Sequence, residues 1–309
     1  MKILLTGGAG FIGSHVADGY LASGHEVAVL DNLCTGFRSN VPAAARFYEA
    51  DIRDADALRR IMGEFRPEVV NHHAAQMDVR KSLDDPVFDA DCNIVGSLKL
   101  LMESQRVGVK RFIYASTGGA VYGEPESLPV DESHPIRPEC AYGVSKHTVE
   151  HYLELWRRLY GLSYVVLRYP NVYGPRQNPH GEAGVNAIFI GLMLEGKTPT
   201  IFGSGEQLRD YVYVSDIVEA NRRALERGEN DVFNIGSGRG TSVNDIYREL
   251  CEILGWTAAA TYAEARPGEI QRVYLNAEKA RRVLGWSPAV TFPEGLRRTV
   301  DWHRRRPAP

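Results

Sequence analysis

Cysteine is scarce in this chain of 309 residues, and the four present, Cys34, Cys92, Cys140 and Cys251, lie far apart. They form neither a metal-spaced pair nor a redox motif, so the thiols are read as reduced, in a reducing compartment, and no metal site is expected. Long apolar runs are missing too. The N-terminus opens into a short apolar strand with one lysine before it, and glycine-rich sequence follows at once. That leaves no signal-peptide-like or membrane-length stretch, and the expectation is a cytoplasmic protein with no membrane partner. Charge of one sign is also lacking: 36 Lys and Arg stand against 39 Asp and Glu, a net charge of -3. No field of that size recruits nucleic acid or an anionic membrane. The basic residues that do cluster, Arg297, Arg298, Arg304, Arg305 and Arg306, read as a solvated last helix and a tail. Internal repeats and low-complexity tracts are absent.

What is there is an ordinary globular composition, 44% hydrophobic and 24% charged, enough for one large core or a large core with a smaller domain leaning on it. Short β-branched runs alternate with amphipathic segments through the first half, the pattern of a parallel sheet with crossover helices. Strands are expected at Lys2 to Thr6, Glu26 to Asp31, Arg46 to Ala50, Glu68 to His72, Arg111 to Ala115 and Ser163 to Arg168. Helices are expected at Phe11 to Ser23, Asp54 to Phe65, Pro86 to Arg106 and Ala141 to Tyr160, where apolar residues recur three and four apart. The fold class is therefore α/β, a doubly wound parallel sheet of the Rossmann kind, binding ligands at the carboxyl ends of its strands. After Arg168 the texture turns to Gly, Pro, Asn and charge, too long and polar for a tight connection. The expected division is a dinucleotide-binding domain at 1–170, with a returning segment at about 212–240 that carries a strand at Asp231 to Gly236. A smaller, discontinuous α/β substrate lobe comes from 171–211 and 241–309.

The first strand runs into TGGAGFIG, which spaces Gly7, Gly10 and Gly13 as Gly-x-x-Gly-x-x-Gly before a helix. Glycine there lets the backbone approach a pyrophosphate, whose charge meets unpaired amides and the positive end of the helix dipole. Asp31 closes the second strand, where a carboxylate accepts from both adenosine ribose hydroxyls and repels a 2'-phosphate. The expected cofactor is NAD rather than NADP, although Arg38 follows closely and is able to meet a phosphate. Asp51 fits either the adenine amino group or a helix N-cap.

Tyr142 and Lys146 form Tyr-x-x-x-Lys on an expected helix, one turn apart on the same face. A phenol with a pKa of ~10 has to drop about three units to act as a base at neutral pH, on the order of 4 kcal/mol. One cation at about 4 Å in an effective dielectric of about 20 supplies roughly that. The strand ending in STGGAVYG brings Ser116 and Thr117 to the same carboxyl edge, where a hydroxyl relays a proton between Tyr142 and a sugar hydroxyl.

With these motifs the sequence resembles the extended short-chain dehydrogenase/reductase family over essentially its whole length, and within it the UDP-glucose 4-epimerases. The resemblance rests on TGGAGFIG, Asp31, the Asp51-Ile52 pair, HHAAQ from His72 to Gln76, Asn93, Ser116-Thr117, Tyr142 with Lys146, and YPNVYGPRQ from Tyr169. It implies that Phe11, Ile12, Asn32, Ile52, Ala74, Ala75, Gln76, Asn93 and Tyr169 join Gly7, Gly10, Gly13, Asp31, Asp51, Tyr142 and Lys146 around NAD. His72 and His73 are read as strand-end packing, because neighbours on a strand face opposite ways. For a UDP-sugar substrate, the resemblance implies Asn171 and Asn186 at the sugar and diphosphate or uridine region, with Phe202 beside the uracil. Arg209 would bind phosphate with Tyr211 in the same stretch, and Arg266 and Glu269 would hold the other phosphate and the uridine ribose. Two arginines suit a diphosphate because each offers several fixed donors.

Related 4,6-dehydratases place Asp-Glu after their threonine, and the decarboxylases a glutamate; here Gly118 and Gly119 follow Thr117. That favours the simpler cycle in which a 4-hydroxyl is oxidised and then restored on the opposite face, with NAD kept bound. Glucuronate epimerases resembling this chain use an arginine after GPRQ, where this chain has Asn178, which argues for a neutral hexose. Val273 sits near the family's gate position and is small enough to leave room for an N-acetyl group. UDP-N-acetylglucosamine or UDP-glucuronate 4-epimerases, a nucleotide-sugar 4-reductase and a non-catalytic NAD-sensing protein stand as alternatives. The resemblance also implies a homodimer, formed through Pro86 to Arg106 and Ala141 to Tyr160 as a four-helix contact.

Overall fold

The computed structural model describes residues 1–178, 184–265 and 270–305. Seven strands form one parallel sheet: β1 (Lys2–Thr6), β2 (Glu26–Asp31), β3 (Arg46–Glu49), β4 (Val69–His72), β5 (Arg111–Thr117), β6 (Ser163–Tyr169) and β7 (Asp231–Asn234). Their spatial order is β3-β2-β1-β4-β5-β6-β7, and every pairing is parallel. The chain winds outward one way from β1 and the other way from β4, so a crevice opens at the carboxyl ends of those two strands. Consecutive apolar residues are dictated by helices on both faces. Ile3 and Leu5 pack into one layer and Leu4 into the other, all fully buried.

One layer holds α2 (Ala55–Phe65), α5 (Gly96–Val107) and α6 (Ala141–Tyr160). The other holds α1 (Phe11–Ala22) and α8 (Val214–Ala224), and the same apolar cluster runs on into α7 (Val185–Leu194), α9 (Val243–Leu254), α10 (Glu278–Leu284) and α11 (Phe292–Arg305). The later part of the chain thus shares a core with the main sheet. Its short strands pair Asn171–Tyr173 with Tyr211–Tyr213, Thr200–Phe202 with Thr261–Ala263, and Leu208–Arg209 with both Thr241–Ser242 and Arg272–Val273.

The long helix expected from Pro86 differs from its pattern. After α3 (Val79–Asp84), α4 (Pro86–Ala90) opens into a wide π-turn at Asp91–Val95 before α5. Such insertions recur at functional sites, and this one carries Asn93. Among the described residues, no helix is long and apolar enough to cross a membrane.

Candidate active site

The glycine turn joins β1 to α1. Gly7 has φ of +71° and donates to the Leu30 carbonyl at 2.8 Å. A Cβ on Gly7 would stand 2.7 Å from the Ala74 nitrogen, and one on Gly13 only 2.2 Å from the Gly7 oxygen. Those two glycines are required by the protein's own backbone. Gly10 is different: a Cβ there would have only the Gly7 oxygen, at 3.3 Å, within reach. Its missing side chain leaves open space at the start of α1, where no side chain caps the helix and no acidic residue stands in the first turn. The first intrahelical bond is Ser14 N–H to the Gly10 carbonyl, so the amides of Phe11, Ile12 and Gly13 precede it. An anion held on these donors, as a dinucleotide pyrophosphate is, fits this cradle.

Asp31, at the end of β2, accepts from the Ala9 N–H (2.9 Å) and the Leu33 N–H (2.8 Å), bracing the turn while each oxygen keeps a second lone pair. Beside it, Asn32 donates to Asp51 at 2.9 Å. Asp51 accepts from Arg53 through backbone and guanidinium, and these bonds hold its carboxyl well below the usual range. The N-cap of α2 is Asp54, not Asp51. Ile52 is buried where its side chain meets Gly96, and Arg38 stacks 4.5 Å over the Phe47 ring. Ala74 donates to Thr6 Oγ1 at 3.2 Å, and Ala75 is half-buried beside it. Gln76 and Asn93 bond each other through backbone and side chain, and Asn93 also reaches Ser145 Oγ at 3.0 Å on α6. Both donate to Asp89, a buried carboxylate whose Oδ2 has no partner among the described residues. The segment after β4 is thereby pinned to the helix that carries Tyr142.

Lys146 reaches from α6 toward the ends of β4 and β5. Its Nζ lies 4.3 Å from the centre of the Tyr114 ring, and its charge acts on His72 and His73. Burial brings its pKa from 10.5 down to about 7, with Glu150 and Asp89 opposing the shift. Tyr142 departs from the sequence expectation. Burial pushes its phenol up, with Cys140 and Asp89 adding to the rise. The desolvation cost outweighs the help of an ammonium that is itself buried and sits over another ring.

Ser116 and Thr117 end β5 on opposite faces. Ser116 is buried and donates to Glu150 Oε1 at 2.6 Å. Glu150 is paired with Arg168 at 2.5 Å, and Arg168 donates to Tyr122, which donates to Asn234. This buried network ties β5, β6, β7 and α6 together. It escaped the sequence reading, whose available signal was an acidic residue one turn beyond Lys146 on the apolar side of the helix. Thr117 Oγ1 has no hydrogen-bond partner among the described residues, and a Cβ on Gly119 would come no nearer to it than 3.9 Å. A Cβ on Gly118, in contrast, would lie 2.4 Å from Leu275 Cδ1.

Gly118, Gly119, Pro170, Asn171, Arg209, Asp210, Val273 and Leu275 line one cavity. Asn186 is 1% exposed in the first turn of α7, and neither amide atom has a partner among the described residues. Phe202 ends its strand 38% exposed. Tyr211 packs against Tyr173 and Phe292 in the core. Tyr169 is buried as well, accepting from Asn221 at 2.7 Å and stacked on His73, so Pro170 rather than Tyr169 faces the cavity. His72 bonds Thr6 and Ser97 in one layer while His73 meets Tyr169 in the other, the opposed packing expected. Arg266 and Glu269 lie outside the described residues.

A family described as the NAD dependent epimerase/dehydratase family matches residues 3–236. The UDP-glucose 4-epimerase of Mycolicibacterium smegmatis is 42% identical over 99% of each sequence. The structure of UDP-glucose 4-epimerase from Thermotoga maritima with UDP-glucose superposes with a TM-score of 0.97 at 50% identity, covering 99% of both chains. That of the Thermus thermophilus enzyme in complex with NAD gives 0.94 at 46%, again over 99% of both. Since the family match spans most of the chain and the similarity runs end to end, the chain belongs to the NAD dependent epimerase/dehydratase family.

Proposed function

We propose that this protein interconverts UDP-glucose and UDP-galactose by transient oxidation at sugar carbon 4, as a UDP-glucose 4-epimerase. The observation that carries the reading is the set of groups at the carboxyl edge of the sheet. Tyr142 and Lys146 stand a turn apart on α6, Thr117 offers an unengaged hydroxyl, and no carboxylate is available at Gly118 or Gly119 for elimination or decarboxylation. Gly10 and the first amides of α1 would hold NAD, with Asp31 at the adenosine ribose, and the bound cofactor would supply a hydride acceptor and donor for carbon 4. Asn32, Asp51 and Ile52 would flank its adenine end, and Lys146 would hold the nicotinamide ribose. Tyr142 removes the proton of the 4-hydroxyl, relayed by Thr117, and returns it once the keto sugar has turned over. Ser116, engaged by Glu150, supports the strand instead. Because burial raises the phenol, the positive charge of a bound nicotinamide would help to lower it toward the range of a base.

The segments 171–211 and 241–309 grip the nucleotide half. Arg209 with Arg266 takes the diphosphate, Phe202 and Glu269 the uridine, and Asn171, Asn186 and Tyr211 the sugar and diphosphate surroundings. The sugar half is left loose enough to rotate. A second reading, UDP-N-acetylglucosamine as substrate, is favoured by the small Val273 in the cavity wall. A homodimer is supported by exposed apolar residues at whole-turn spacings: Val87, Val95 and Met102 on the α4–α5 run, and Val144, Leu155 and Leu159 on α6. Four unpaired cysteines fit the reducing setting of the cytoplasm.

The test is purified protein given UDP-galactose without added NAD, beside Tyr142→Phe. UDP-glucose should form with no net change in cofactor redox state, and the variant should lose roughly 100-fold or more in kcat with little change in KM. Turnover that needs stoichiometric cofactor refutes the reading.

A further inference from the structure

Asp210 follows Arg209 and is 2% exposed. Its carboxylate accepts from the Leu275 N–H (2.9 Å), the Ser237 N–H (2.9 and 3.1 Å) and the Ser237 hydroxyl (2.5 Å). Its main-chain oxygen accepts the Asn171 N–H at 3.1 Å. The segments that follow β6, follow β7 and follow the Arg272–Val273 strand therefore meet on one residue. Gly236 permits the meeting, since a Cβ there would lie 2.7 Å from Asp210 Oδ2 and 2.6 Å from Leu275 Cβ. Leu275 in turn presses on the turn after Thr117: its Cδ1 occupies the space beside Gly118. The Arg209 backbone is held opposite Val273 in the same small sheet.

We propose that Asp210 is a positioning residue for the epimerisation: by fixing Leu275 against Gly118, it sets the distance from the Arg209 wall to the Thr117 hydroxyl, and so where carbon 4 rests. The proposal builds on the nucleotide-sugar reading above. A carboxylate suits the junction because it only accepts; an amide of the same shape keeps one acceptor and turns N–H groups toward the Ser237 and Leu275 donors. The consequence falls on rate, since a misplacement of about 1 Å can cost on the order of 100-fold with binding intact.

The test compares wild type, Asp210→Asn, Leu275→Ala and the double variant as NAD-loaded enzymes, reading kcat and KM on the UDP-sugar that wild type turns over, and UDP affinity by calorimetry. Asp210→Asn should lower kcat by about 10- to 100-fold with UDP affinity within about threefold of wild type. Leu275→Ala should show the same pattern more weakly. The double variant should be no slower than Asp210→Asn, because the second change removes a contact already released. An unchanged kcat, a UDP affinity that falls in step with kcat, or effects that multiply in the double variant each overturn the proposal. If Asp210→Asn does not accumulate folded, Ser237→Ala and Leu275→Ala decide it: reduced kcat with unchanged UDP affinity in both supports it, and unchanged kcat in either overturns it. Wild type that turns over no UDP-sugar counts against the functional reading alone.

Discussion

Lys146→Met should make the protein more stable while abolishing turnover. The ammonium is 3% exposed, and burial takes its pKa from 10.5 to about 7. A drop of about 3.5 at about 1.4 kcal/mol each amounts to roughly 5 kcal/mol by which folding disfavours the charged form. The sign follows from proton counting. Between pH 7 and 10.5 the unfolded chain binds more protons at this lysine than the folded one, so its destabilising effect is fully present below pH 7 and fades as pH rises toward 10.5. Methionine keeps an apolar stem over the Tyr114 ring without the charge. In nucleotide-free protein, urea unfolding at pH 6 should show the variant more stable by about 2–5 kcal/mol, the lower end allowing for packing lost with the ammonium. The advantage should shrink at pH 9. A variant no more stable than wild type at pH 6, or an advantage that grows with pH, refutes the argument that burial dominates this lysine's energetics.

Gly10 and Gly13 of the turn should separate by assay. Gly10→Ala should leave the melting temperature nearly unchanged and weaken NAD binding, whereas Gly13→Ala, with its Cβ directed at the Gly7 carbonyl, should lower the melting temperature itself. Loss of NAD affinity with no thermal effect at both positions would contradict that division. The two hydroxyls that end β5 should divide as well: Ser116→Ala should cost about 1.5–3 kcal/mol of stability by removing a bond to a charged group, with kcat largely kept. Thr117→Ala should do the reverse, lowering kcat with an unchanged unfolding midpoint; matching effects of the two on kcat would refute the assignment of the relay to Thr117.

Much of the fold was legible in local sequence. The bounds Lys2–Thr6, Glu26–Asp31 and Ala141–Tyr160 agree with expectation because sharp local chemistry sets them, the last by Gly161 in the left-handed region. The expected return of the strand near Asp231 is met by its pairing with β6. The π-turn at Asp91–Val95 was not legible, since apolar spacing over a long helix hides one extra residue in the bonding. Nor were the junction at Asp210 and the Glu150–Arg168 pair, which join segments distant in the chain.

The order of residues alone settled the parallel sheet, the glycine turn at a helix start and a tyrosine one turn from a lysine, because each depends on spacing within a few residues. Only the folded chain decided which way burial shifts these groups and which of two adjacent hydroxyls has no partner among the described residues. Those depend on how much water is excluded around Lys146 and Tyr142, and on Glu150 arriving beside Ser116 from another element. Burial and long-range pairing are properties of packing, and no local pattern encodes them.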